Sequence, residues 1–121
     1  QRPAESIIGL GYSNGANIAA AIMLLRPEVF SRAILFRPML PLQDPPKPDL
    51  NGKDILILRG NYDSTIPAES TERLVNVLTK AGVRVEVRDL EAGHELTTHD
   101  LEAASQWLSG VVNFDVVEAV N

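Results

Sequence analysis

An α/β fold with a mostly parallel sheet is predicted for this chain by three observations. Short apolar runs of strand length alternate with segments of helical composition, most of the runs lack the polar alternation of a half-exposed strand, and no internal repeat or low-complexity tract interrupts the series. At 121 residues and 45% hydrophobic content, the chain has the composition of one globular domain with a modest core.

The first strand is Ser6-Ile7-Ile8-Gly9-Leu10-Gly11, continuous enough to be covered on both faces. Residues 16–25 follow as a helix of strong formers, apolar on nearly every side and therefore expected to be buried, with Pro27 stopping it. Ala33-Ile34-Leu35-Phe36 is the second strand. From Arg37 to Gly52 five prolines exclude helix and central strand, so this segment is a loop. Asp54 to Leu58 forms the third strand, and a helix from Ala68 to Ala81 ends at Gly82 as its C-cap. Val83 to Arg88 alternates apolar and polar residues as an edge strand does. Thr97 or Thr98 caps a last helix over 99–108, in which Leu101, Ala104 and Leu108 share a face beside Trp107. The tail 111–121 is apolar without a clear pattern, so residues 1–110 are expected to form the domain.

A formal charge of -5 with no block of Lys or Arg argues against a nucleic-acid partner or an anionic membrane surface, and no run reaches the roughly 18 apolar residues that cross a bilayer. Cysteine is absent, which excludes disulfides and thiolate metal sites and is compatible with a reducing compartment. A cytoplasmic location is the expectation. No cofactor or metal is expected: His94, Glu95 and His99 invite a metal reading, but five residues place the two rings about 140° apart on a helix, against the four-residue spacing of a zincin.

Gly11-Tyr12-Ser13-Asn14-Gly15 is a G-x-S-x-G sequence between an apolar strand and a helix, the setting of a nucleophile elbow. There the serine hydroxyl stands exposed at a sharp bend, and the backbone N–H of Asn14 faces a developing oxyanion. Loops at the carboxyl ends of three strands then hold Ser13, Asp63 and His94, the edge at which open α/β sheets bind ligands. Each residue type answers a need. The Ser13 hydroxyl is a weak nucleophile, His94 can take its proton and return it to the leaving group, and Asp63 can orient the imidazole. Asp63 also fits a turn or helix cap, and His94 a hydrogen-bonded turn. Asp44, Asp49, Asp89 and Asp100 suit the acid role less well, lying in the proline loop, at an edge-strand end or at a helix start. Tyr12 and Asn14 flank the serine as substrate contacts or as fillers of the turn. Met39, Leu40, Ile66 and Leu96 follow strand ends and either line an acyl pocket or belong to the core.

Gly11 to Asn17, Gly60 to Pro67 and Ala92 to Leu96 resemble the nucleophile, acid and histidine segments of the α/β-hydrolase superfamily, and more narrowly of its phospholipase/carboxylesterase family. The order Ser, Asp, His is that superfamily's order. The resemblance runs over about residues 5–109. It implies a three-layer α/β/α sandwich and metal-free hydrolysis of a small carboxylic ester through an acyl-serine. It also implies about four further strands before the elbow, with the second oxyanion donor on an early loop. The chain is thus expected to be the carboxyl-terminal half of the fold, starting at the nucleophile strand, with an open side on that strand. A second polypeptide carrying the other half and packed alongside is then a partner to expect, and a homo-oligomer is also compatible. Two other readings are a non-catalytic fragment or interaction module, and a thioesterase or acyltransferase using the same three residues.

Overall fold

The computed structural model describes residues 7–110 and, as backbone, 115–118. Residue 6 of the first expected strand and the rest of the tail lie outside the described residues. Among the described residues, five strands and three helices follow in the order β1 (Ile7–Tyr12), α1 (Asn14–Leu25), β2 (Arg32–Phe36), β3 (Asp54–Gly60), α2 (Ala68–Lys80), β4 (Arg84–Leu90), α3 (Thr98–Leu108) and β5 (Asp115–Glu118). They form one sheet of order β4-β3-β2-β1-β5, and all four pairings are parallel.

The period-two alternation of β2 and β3 divides the core. Ala33, Leu35, Ile55 and Ile57 face α1 and α2, while Ile34, Phe36, Leu56 and Leu58 face Ala103 and Ala104 of α3. A continuous apolar run is required because both faces are covered, which makes the molecule a three-layer sandwich. Edge strand β4 has no fully buried residue.

Besides small shifts at helix ends, such as Ala81 rather than Gly82 as the C-cap of α2, four details depart from the sequence expectations. Helix α1 begins at Asn14, two residues earlier than its composition indicates, because the elbow turns directly into it. Only one side of α1 meets the sheet: Ala16, Ala19, Ala20, Met23 and Leu24 are buried at helical spacing, whereas Ile18 and Leu25 are 38% and 56% exposed. On α3, Leu101 turns to solvent and Asp100, Ala103 and Ala104 are buried. The polar Asp100 faces inward because the buried Arg37 pairs with it. Finally, β5 lies against β1, pairing Ile7 with Asp115 and Leu10 with Glu118, so the side of β1 expected to be open is occupied over these residues. Unpaired N–H and C=O groups on β1 seek such a partner, and Val116 and Val117 suit a strand.

Candidate active site

Ser13 sits between β1 and α1 with φ 55° and ψ -113°, a conformation that L-residues seldom adopt. Neighbouring groups hold it there. Its N–H donates to Phe36 O at 2.7 Å, and its carbonyl accepts from Asn17 N at 3.1 Å. A Cβ on Gly11 would overlap the backbone of Gly15 and Ala16, which explains a glycine two residues before the serine. Ser13 occupies the N-cap position of α1, where a serine oxygen ordinarily accepts a helix N–H, yet it makes no such bond. Its Oγ instead lies 2.9 Å from His94 Nε2.

His94 stands on the loop between β4 and α3, and its Nδ1 lies 2.8 Å from Asp63 Oδ2. Asp63, on the loop between β3 and α2, uses its other oxygen to accept from Thr65 N and Ile66 N at 2.8 and 3.2 Å. The turn reading and the orienting reading of Asp63 therefore describe two oxygens of one carboxylate. Burial raises the Asp63 carboxyl, but the His94 ring and the two backbone N–H groups outweigh it and hold the group below its ordinary range. An ionised Asp63 accepts from Nδ1–H, which leaves Nε2 of a neutral ring to accept the Ser13 hydroxyl proton. Serine, histidine and aspartate are thus in one hydrogen-bonded line. Asn14 is the first residue of α1, where a backbone N–H has no acceptor within its own helix.

The remaining candidates separate. Met39 and Leu40 join Asn14, Asn17 and Ile18 along an open groove beside the elbow, and Asn17 Oδ1 accepts from Met39 N at 2.8 Å. Ile66 instead lines a cavity of about 180 Å³ together with Asp63, Arg59, Thr71 and Glu72. Leu96 is 44% exposed on the histidine loop. Tyr12 turns toward His94: the ring centroids are 5.4 Å apart and the Tyr12 hydroxyl donates to His94 O at 3.0 Å.

Sequence reasoning missed a buried pair. Arg37 follows β2 at φ 57° and is 1% exposed, and its guanidinium meets both oxygens of Asp100 at 2.7 and 2.8 Å. Asp100 also accepts from Thr97 N at 2.9 Å while Thr97 Oγ1 accepts from Asp100 N, a capping box at the start of α3. The Thr-x-x-Asp spacing was the available signal for Asp100; nothing local marks Arg37 as its partner. Burial raises the Asp100 carboxyl, and the bonds from Arg37 and Thr97 reverse that and lower it.

Both carboxyls being lowered on folding, the unfolded chain binds their protons first. Their stabilisation is complete above the ordinary carboxyl range near about pH 4 and is lost as pH falls through the lower folded-state values. Urea denaturation at stepped pH should show stability falling below about pH 4; a constant stability down to about pH 2 would contradict this.

Among the described residues, no helix is long and apolar enough to cross a membrane. The profile of the phospholipase/carboxylesterase family matches residues 1–112. A protein named as a hydrolase, MhqD of Bacillus subtilis (strain 168), is 39% identical over 101 residues, covering 84% of this chain and 50% of that protein. The crystal structure of the Bacillus cereus carboxylesterase superposes with a TM-score of 0.82 at 31% identity, over 87% of this chain and 50% of the other. A carboxylesterase from Mesorhizobium loti gives 0.81 at 39% identity, over 85% and 49%. The chain spans about half the length of these relatives.

Proposed function

The chain belongs to the phospholipase/carboxylesterase family, and from that premise we propose that it carries the nucleophile, base and acid of a serine hydrolase acting on carboxylic esters. The observation that supports this most is the line Ser13 Oγ, His94 Nε2, His94 Nδ1, Asp63 Oδ2, with bonds of 2.9 and 2.8 Å. Ser13 Oγ attacks the ester carbonyl while His94 Nε2 takes its proton, and the carbonyl oxygen becomes an anion facing the N–H of Asn14. Collapse expels the alcohol, which receives the proton from His94. Ser13 is left as an acyl ester. Water attacks that ester as His94 takes its proton, and collapse breaks the acyl–Ser13 Oγ bond, releasing the acid as His94 returns the proton to Ser13. Asp63 stays ionised throughout and stabilises the imidazolium. The groove at Met39 and Leu40 also includes Asn14 beside the elbow and suits an acyl chain. By the resemblance, a second oxyanion donor and further pocket walls belong to the part of the family fold outside the matched half, the matched proteins being about twice this chain's length.

That same half-length match favours one second reading, a fragment that keeps the three residues without turnover of its own. A fluorophosphonate probe separates the two. Under the first reading the intact chain gains one adduct, mapped by peptide mass to Ser13, and Ser13→Ala abolishes it. A folded chain that gains none supports the second.

A further inference from the structure

His94 has to satisfy two groups on different loops at once, through opposite ring nitrogens, and its own loop offers little to fix it. Residues 91–97 contain no helix or strand, and one short-range bond, Ala92 N to Leu90 O at 2.9 Å, is internal to the turn. The loop's carbonyls are held from outside instead. Ala92 O accepts from Tyr62 N at 2.9 Å, Gly93 O from Arg37 Nε at 2.9 Å, His94 O from the Tyr12 hydroxyl at 3.0 Å, and Glu95 O from Arg37 Nη2 at 3.1 Å.

Arg37 is fully committed to this arrangement. A guanidinium has five N–H donors in a planar fork. Here Nε serves Gly93 O, Nη1 serves Asp100 Oδ1 and Leu58 O at 3.3 Å, and Nη2 serves Asp100 Oδ2 and Glu95 O. Asp100 seats the fork, and the donors to Gly93 O and Glu95 O bracket His94 from either side. The same strand ends also set the serine. Tyr12 immediately precedes Ser13, and Phe36, whose carbonyl receives Ser13 N–H, immediately precedes Arg37. Nucleophile and base are therefore referenced to the ends of β1 and β2.

We propose that Arg37, seated by Asp100, and Tyr12 are positioning residues that fix His94 against Ser13. The inference rests on the serine-hydrolase reading for its catalytic consequence, but the ring position can be read without turnover. A role confined to holding a charge beside Asp100 would be largely satisfied by Arg37→Lys, which keeps that charge but loses the planar fork that serves Asp100, Gly93 O and Glu95 O together. Positioning would not.

The test compares the intact chain with Arg37→Lys, Tyr12→Phe and the double variant Arg37→Met/Asp100→Leu, which leaves no buried charge unpaired. Two readouts are taken at a temperature where each variant is folded by circular dichroism. One is the rate of fluorophosphonate labelling at Ser13; the other is the downfield proton resonance of the His94 Nδ1–H bonded to Asp63. Both Arg37 variants should label about 100-fold more slowly, as a misplacement near 1 Å does, and lose or broaden the resonance. Tyr12→Phe should label roughly fivefold to tenfold more slowly, the effect of one hydrogen bond. Wild-type rate and an unchanged resonance in a folded Arg37→Lys or Tyr12→Phe overturn the proposal. If the intact chain does not label, the serine-hydrolase reading falls separately, and the resonance alone decides whether these residues set the ring. If both Arg37 variants fail to fold, Tyr12→Phe decides the matter by the same two readouts.

Discussion

Alanine at Ser13 should lower ester hydrolysis by roughly 10⁴- to 10⁶-fold, and alanine at His94 should cost nearly as much. The double variant should be no worse than either single one. The reason is geometric: the 2.9 Å contact between Ser13 Oγ and His94 Nε2 makes the proton acceptor useful only while the hydroxyl is present, and the hydroxyl reactive only while the acceptor is present. Asp63→Asn should cost about 10⁴-fold by a different route. An amide NH₂ facing Nδ1 at the 2.8 Å position forces the ring into its other tautomer, and Nε2 then carries a hydrogen toward Ser13 instead of a lone pair. Steady-state hydrolysis of a short-chain nitrophenyl ester measures all four proteins. Losses that multiply in the double variant, or activity persisting in Ser13→Ala, would remove this line of residues from the chemistry.

The parts of the molecule legible in the sequence are those governed by neighbours in the chain. Strands β2 and β3 are continuous apolar runs because both faces are covered, so composition alone locates them. Ser13, Asp63 and His94 follow strand ends, and parallel strands bring such ends to one edge of a sheet, so their convergence is a consequence of order rather than of any pairwise signal. Contacts between distant residues are a different matter. Leu101 fits an apolar helical face with Ala104 and Leu108 as well as any residue does, yet α3 is rotated so that Asp100 points inward, because Arg37 lies 63 positions earlier in the chain. Helical periodicity treats a buried aspartate as an error. The inward turn of Tyr12 is hidden for the same reason: its partner is the carbonyl of His94, 82 residues away. Met39 and Leu40 are indistinguishable by type from Ile66 and Leu96, and only the path of the loops separates a groove beside the elbow from the cavity that Asp63 and Ile66 line.

Two glycines should also prove sensitive to substitution, since each marks a place where another backbone passes too close for a methyl group. At Gly11 the obstruction is the backbone of Gly15 and Ala16, so Gly11→Ala presses on the first turn of α1 and on Ser13 above it. At Gly60, the last residue of β3, it is the carbonyls of Ala92 and Gly93. Those carbonyls already accept from Tyr62 N and Arg37 Nε, so they cannot retreat without breaking bonds that hold the histidine loop. Replacing glycine by alanine usually gains about 0.4–1 kcal/mol by restricting the unfolded chain where the native site has room. Overpacking against rigid groups costs about 1–3 kcal/mol, which is larger, so both variants should lose stability. Gly110→Ala provides the comparison, because nothing among the described residues lies within 4 Å of a Cβ there, and it should leave stability and labelling unchanged. Urea denaturation measures the first quantity and fluorophosphonate labelling at Ser13 the second, which should fall about 100-fold in Gly11→Ala and Gly60→Ala. The two must fail differently. Gly11→Ala acts on the Ser13 side and should leave the His94 Nδ1–H resonance in place, whereas Gly60→Ala acts on the His94 loop and should shift it. If Gly60→Ala labels at the wild-type rate, the histidine loop yields to a methyl group without losing register, and the bonds from Arg37 and Tyr12 would then be consequences of where His94 sits, not its cause.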